Sequence, residues 1–113
     1  MLNYKAPLDL AFQALADPAR RAIVDRLSNG PASVSELAKP LPMSLPAVML
    51  HLKVLEQSGL IKSSKAGRVR TCRIEPRFFS EAEHWIAERR RMWERNLDQL
   101  GAFLDQTKPE QEP

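Results

Sequence analysis

The sequence predicts a mainly α-helical domain with one small β-hairpin, set between a fourth and a fifth helix. Three observations point there. Apolar residues recur at spacings of three and four over several stretches, as they do on the buried side of a helix. Two short alternating segments, residues 60–65 and 69–74, meet across a glycine-bearing turn. Capping residues, prolines and glycines punctuate the boundaries between these stretches.

Residues 8–16 form the first expected helix, with Leu8, Phe12 and Leu15 on one face. Asp17 is a natural N-cap for the second helix, and Pro18 suits its first position because a missing N–H costs nothing there. That helix turns Ala22, Ile23 and Leu27 inward and runs to about Ser28, where Asn29-Gly30-Pro31 ends it. A short third helix follows, opened by Ser33 and Glu36 as a capping box and stopped by Pro40. After the turn Pro40-Leu41-Pro42-Met43, Ser44 caps a fourth helix that continues to Ser58 and halts at Gly59.

In the fourth helix, Leu45, Val48, Leu52 and Leu55 form an inward stripe. The opposite side is Pro46, Ala47, Leu50, Lys53, Val54 and Gln57, without an acid, and Glu56 is expected near the core edge. A carboxylate on that outer face would repel phosphate, so its absence permits a nucleic acid without demanding one. The two strands are expected to join across Ala66-Gly67-Arg68, Gly67 supplying the positive φ of a tight turn. Glu75-Pro76 breaks the second strand, and Ser80 with Glu83 is expected to cap a long last helix to about Gln106. That helix carries Ala82, Trp85, Ile86, Trp93, Leu97, Leu100, Phe103 and Leu104 at helical spacing. At roughly 40 Å it is longer than a domain of this size can cover from its own core, so much of its apolar face calls for a second copy of the chain. Arg89-Arg90-Arg91 reads as a solvated face beside Glu88 and Glu94.

A length of 113 residues leaves room for one domain, expected over residues 1–107, with the polar, proline-bearing residues 108–113 as a disordered tail. No apolar stretch approaches the roughly 18 residues that span a bilayer, and the start lacks a signal-peptide pattern, so a cytoplasmic location and no membrane partner are expected. Cys72 is the only cysteine, which excludes an intrachain disulfide and a thiolate cluster within one chain; it reads as a small buried apolar side chain. The net charge of +3 is unevenly spread. Lys62, Lys65, Arg68, Arg70, Arg73 and Arg77 face a single acid, Glu75, in the hairpin region. Such clustering suits a polyanion, because neutralised phosphates release counterions; a solvated charged face is the alternative.

The order of elements, a short helix, a turn, a capped helix and a basic hairpin, is that of a winged helix-turn-helix. Residues 15–24 (LADPARRAIV), 35–38 (SELA), 44–48 (SLPAV) and 51–61 (HLKVLEQSGLI), with Gly67-Arg68 at the hairpin turn, closely resemble the ArsR family of bacterial winged-helix repressors. The resemblance covers residues 8–76 in motif and 80–104 in architecture. It implies a homodimer built on the first and last helices, whose interface would include Leu8, Phe12, Trp85, Ile86, Trp93, Leu97, Leu100 and Leu104. It also implies two recognition helices reading a roughly palindromic operator in double-stranded DNA. Ser44, Pro46 and Ala47 match the start of the family's recognition helix, and His51 and Lys53 match later contacts. Met49 and Leu50 depart from it, standing where the family commonly has Ser and a basic residue. Leu50 is then either an ordinary exposed leucine or an apolar contact for a thymine methyl.

Many members of the family sense metals through a cysteine pair in the third helix or an Asp and His set in the last. Here the third helix offers Val34-Ser35-Glu36-Leu37 and the last only His84, with Glu88 one turn on and Arg95 where a second His is expected. Zinc takes three or four ligands, so neither a metal site nor a cofactor is expected. The sequence holds no phosphate loop and no nucleophile with its base, so an enzyme is not expected. The leading reading is a sequence-specific DNA-binding repressor in which Lys53, Lys65, Arg68 and Arg70 hold phosphates while Ser44, Pro46, Ala47, Met49, Leu50 and His51 lie at bases or backbone. A winged-helix protein-interaction module, and a metal-responsive repressor with a non-standard site, are the alternatives.

Overall fold

A computed structural model describes residues 7–107; the expected tail at 108–113 lies outside the described residues. The elements are α1 (Pro7–Leu15), α2 (Pro18–Leu27), β1 (Ala32–Ser33), α3 (Val34–Ala38), α4 (Leu45–Gln57), β2 (Ile61–Ala66), β3 (Val69–Ile74) and α5 (Pro76–Thr107). They fall into two compact units that divide after Ala82.

In the first unit the expected capping chemistry is present. The Asp17 carboxylate accepts from the backbone N–H groups of Ala19 (2.8 Å) and Arg20 (3.2 Å), which holds it below the ordinary aspartate range. Ser33 and Glu36 form a reciprocal box, Glu36 N donating to Ser33 Oγ at 3.2 Å and Ser33 N to Glu36 Oε1 at 3.3 Å. Ser44 Oγ accepts from Ala47 N at 3.3 Å, with Pro46 in the first turn of α4. At the other end of α4, Gly59 N donates to Glu56 O and Leu60 N to Leu55 O, the paired bonds of a Schellman stop. The φ of +82° at Gly59 makes this possible.

The core gathers Ala11 and Ala14 of α1, Ile23, Val24 and Leu27 of α2, Leu37 of α3, and Val48, Leu52 and Leu55 of α4 against Ala32, Leu60, Ile61 and Cys72. Cys72 is free and buried, and burial pushes its thiol pKa up, in keeping with an apolar filler. The hairpin closes as Ala66 pairs with Val69, leaving Gly67 and Arg68 as the loop. Gly67 has φ +61° and Arg68 does not have positive φ, the signature of a type II′ turn.

Several expectations require correction. The hairpin is part of a three-stranded antiparallel sheet, ordered β1-β3-β2, with Ala32 opposite Cys72 and Ser33 opposite Thr71. A two-residue strand between a proline and a capping serine shows no periodicity to read. Leu45 is 55% exposed rather than inward. It is the first residue of α4, and helical side chains lean toward the N-terminus, so Leu45 overhangs the preceding turn instead of the core. Ala22 is exposed, leaving the inward side of α2 to Ile23, Val24 and Leu27. Ser80 does not cap α5, which begins at Pro76; Ser80 Oγ instead donates back to Pro76 O at 3.1 Å. Proline at the first helical position starts the helix a turn earlier than the serine signal.

The second unit consists of α5 from Glu83 onward, and of the residues described there only Ala87 is not exposed. Among the described residues, no helix is long and apolar enough to cross a membrane.

Candidate nucleic-acid interface

The outward side of α4 and the β2–β3 hairpin bring most of the expected contact residues together in the first unit. Pro46, Met49, Leu50 and Lys53 of α4 and Arg70 of β3 line one depression of about 540 Å³, whose floor includes Leu52 and Cys72. A second, of about 410 Å³, is lined by Lys65, Arg68, Val69 and Arg70 of the hairpin, by Ser33, Val34 and Ser35, and by Met49. Met49 and Arg70 therefore stand where the two meet. Lys53, Lys65, Arg68 and Arg70 are all exposed, so their cationic ends frame a surface with an apolar middle.

Two expected contacts carry structural duties as well. The Ser44 hydroxyl accepts the Ala47 N–H of the helix start, and Ala47 is half-buried. His51 lies in neither depression. Its Nδ1 is 3.4 Å from Nη1 of Arg20, and a guanidinium has only donors, so Nδ1 accepts and the neutral ring carries its proton on Nε2. Arg20 also donates from Nε to Ala14 O at 2.6 Å and from Nη2 to Gln13 O at 3.1 Å, and Arg21 Nη1 reaches Leu15 O at 2.7 Å. Two arginines of α2 thus satisfy the last carbonyls of α1, and one continues to α4. The role of Arg20 has no signal in periodicity, because it depends on three segments meeting.

A second arrangement was also illegible in the sequence. Arg70 Nη1 donates to Ser63 Oγ at 2.8 Å, and Ser63 Oγ donates to the Glu56 carboxylate. Glu56 is exposed rather than at the core edge, and this relay engages it with the cation across the groove. On the other side of the sheet, Lys62 Nζ binds Glu75 Oε2 at 3.1 Å. Of the six hairpin cations, Lys62 is therefore matched to the segment's one acid.

In the second unit, Ile86, Trp93, Leu97, Leu100 and Leu104 of α5 are each about half exposed, Trp93 reaching 64%. Trp85 is exposed and has the Arg89 guanidinium over its ring, 4.4 Å from the centroid. On α1, Leu8 is half-buried and Phe12 is 37% exposed. His84 Nε2 and Glu88 Oε1 are 3.6 Å apart on exposed turns, which makes two donors where zinc takes three or four. Among the described residues no three of His, Cys, Asp and Glu gather closely enough to hold an ion, so the donor set does not fit one.

Residues 15–64 match the model of a helix-turn-helix domain family, spanning α2 to the start of the hairpin. The chain is 42% identical to the HTH-type transcriptional regulator Rv2034 of Mycobacterium tuberculosis over 105 residues, which cover 93% of this chain and 94% of that one. It is 36% identical over 76 residues to the arsenical resistance operon repressor of Escherichia coli K12, covering 66% of this chain and 64% of the other. The crystal structure of an ArsR family transcriptional regulator, RHA00566, superposes with a TM-score of 0.76 at 55% identity, over 83% of this chain and 97% of that one. Fold, capped fourth helix and basic wing, with these relatives, define a winged helix-turn-helix, DNA-binding transcriptional regulator. The chain belongs to the ArsR family of such regulators.

Proposed function

We propose that this chain is a homodimeric, cytoplasmic repressor that binds a roughly palindromic operator in double-stranded DNA, residues 1–107 serving as its DNA-binding and dimerisation domain. The observation that carries this reading is the frame of exposed cations, Lys53, Lys65, Arg68 and Arg70, around the outward side of α4. In it, the fixed charges hold phosphates, Arg68 at the tip of the wing sits in or beside a minor groove, and the exposed side of α4 enters the major groove. Ser44, Pro46, Ala47, Met49 and Leu50 then lie nearest the bases, and the Nε2–H of His51 is available to the backbone. Repression is supported by the relative in Escherichia coli that is named a repressor.

Dimerisation is supported by the apolar run of α5 at Trp85, Ile86, Trp93, Leu97, Leu100 and Leu104, to which Leu8 and Phe12 of α1 would add. Exposed apolar surface of that extent is characteristic of an interface. A dimer places two recognition helices about one helical turn of DNA apart, which is why the operator is expected to be palindromic. Among the described residues His84 and Glu88 supply two donors where zinc takes three or four, which supports a response that is independent of a metal held by one chain.

Selection of bound fragments from random DNA by the purified protein tests the whole reading. A single motif with inverted symmetry, unchanged by zinc or reductant, and a solution mass of twice 12.8 kDa are expected. Failure to enrich any motif overturns the DNA-binding reading, a zinc-dependent motif overturns the metal-free one, and a single-chain mass overturns the dimer. For the wing, Arg68→Ala should weaken binding to all sequences and make the salt slope shallower by about one. Unchanged affinity and slope would remove Arg68 from the interface.

A further inference from the structure

Leu45, Met49 and Leu50 expose 55%, 41% and 66% of their surface, and with exposed Pro46 they make an apolar strip along one side of the first turns of α4. The exposure of Leu45, which periodicity placed inward, extends the strip to the first residue of the helix. The strip contains no side-chain nitrogen or oxygen, and its one heteroatom, the Met49 thioether sulfur, is only a weak acceptor. The nearby Ser44 hydroxyl already accepts the Ala47 N–H. Cations border the strip at Lys53 and Arg70, and the acid of this surface, Glu56, accepts from Ser63, itself bonded to Arg70.

Side chains of this kind cannot read the polar edges of base pairs. In the major groove the one group that complements them is the methyl on C5 of thymine. An apolar strip inside a cationic frame also matches the cross-section of that groove, a floor carrying methyls between two phosphate walls. We propose that α4 reads its operator through pyrimidine C5-methyl groups, with Leu50 and Met49 as the principal contacts. The inference rests on α4 being the recognition helix. Because 5-methylcytosine carries its methyl at the same ring position, the same surface accepts methylated cytosine, and operator affinity rises when cytosine at a methyl-read position is methylated.

The test uses the full chain and the DNA motif that it selects. Each thymine of one half-site is replaced in turn by deoxyuridine, which removes only the methyl. At one or two positions affinity should fall about fourfold, the effect of exposing one buried methyl-sized group. At those positions a cytosine should bind more weakly than thymine, and 5-methylcytosine should recover about fourfold relative to cytosine. Leu50→Asn, at a site already mostly in solvent, should keep the fold by circular dichroism and bind the motif about fourfold more weakly, losing the difference between thymine and deoxyuridine at one of those positions. Wild-type protein that binds its motif with no difference at any position overturns the proposal and assigns the strip to a protein partner. Discrimination that survives Leu50→Asn undiminished at every position overturns the role of Leu50. Absence of any selected motif strikes the underlying DNA-binding reading instead.

Discussion

Arg20 Nη1 donates to Nδ1 of His51 across 3.4 Å, so one guanidinium joins the end of α1, the start of α2 and the middle of α4. The helix proposed to face DNA is thereby braced by a residue that is not itself in the cationic frame. Arg20→Ala leaves the Gln13 and Ala14 carbonyls without this donor and should destabilise the protein by about 1–2 kcal/mol in urea unfolding. Arg20→Lys should not restore it, since an ammonium cannot reproduce the fork. In a double-mutant cycle with His51→Ala, a coupling of about 0.5–1 kcal/mol is expected. Strict additivity would show that the two side chains are neighbours without being partners.

Two glycines with positive φ should respond very differently to alanine. At Gly59 the new Cβ would lie 2.6 Å from two carbons of the Phe78 ring, in addition to the strain of φ +82°. Gly59→Ala should therefore lose about 2–4 kcal/mol, combining left-handed strain with overpacking. At Gly67 nothing lies within 4 Å, so only the backbone term at φ +61° remains, about 1 kcal/mol. Equal losses in chemical denaturation would contradict the contact with Phe78.

The Lys62 ammonium bonded to Glu75 holds that carboxyl below its ordinary value of 4.5. A folded-state pKa below the unfolded one means that the pair stabilises the fold fully above the ordinary value and loses this as pH falls through the folded one. Glu75→Gln should thus be less stable than wild type at pH 7, and the gap should narrow at an acidic pH where the folded-state carboxyl takes up its proton. Urea midpoints at the two pH values measure it, and a gap that persists in acid would assign the effect to packing. Asp17 and Glu36 are also lowered, chiefly by backbone hydrogen bonds at their helix starts, so wild-type stability itself should decline on acidification.

Most of the fold was legible because its boundaries are written in local chemistry. Asp17, Ser33 and Ser44 cap helices whose starts they mark, and Gly59 and Gly67 sit where a positive φ is needed. Where local signals competed, the sequence misled. Pro76 and Ser80 both announce a helix start, and the proline, one turn earlier, prevails. The surface of α4 was half legible. Its lack of acid and the charge of the hairpin follow from residue identity, whereas the exposure of Leu45 depends on what lies beneath the first turn. The bridges through Arg20 and through Ser63 join residues 31, seven and seven positions apart and arise only once α1, α4 and the sheet have met.

The short strand β1 has a consequence for anyone exchanging parts among these regulators. Ser33 both opens α3 and lies opposite Thr71 of the wing, and its neighbour Ala32 lies opposite Cys72. The wing is therefore stitched to the first helix of the DNA-reading pair by a segment nearly forty residues earlier in the chain. A graft of residues 61–74 alone would arrive without its third strand, and the seam would open where α3 begins. A transplantable wing is a discontinuous part, and residues 32–33 must travel with it.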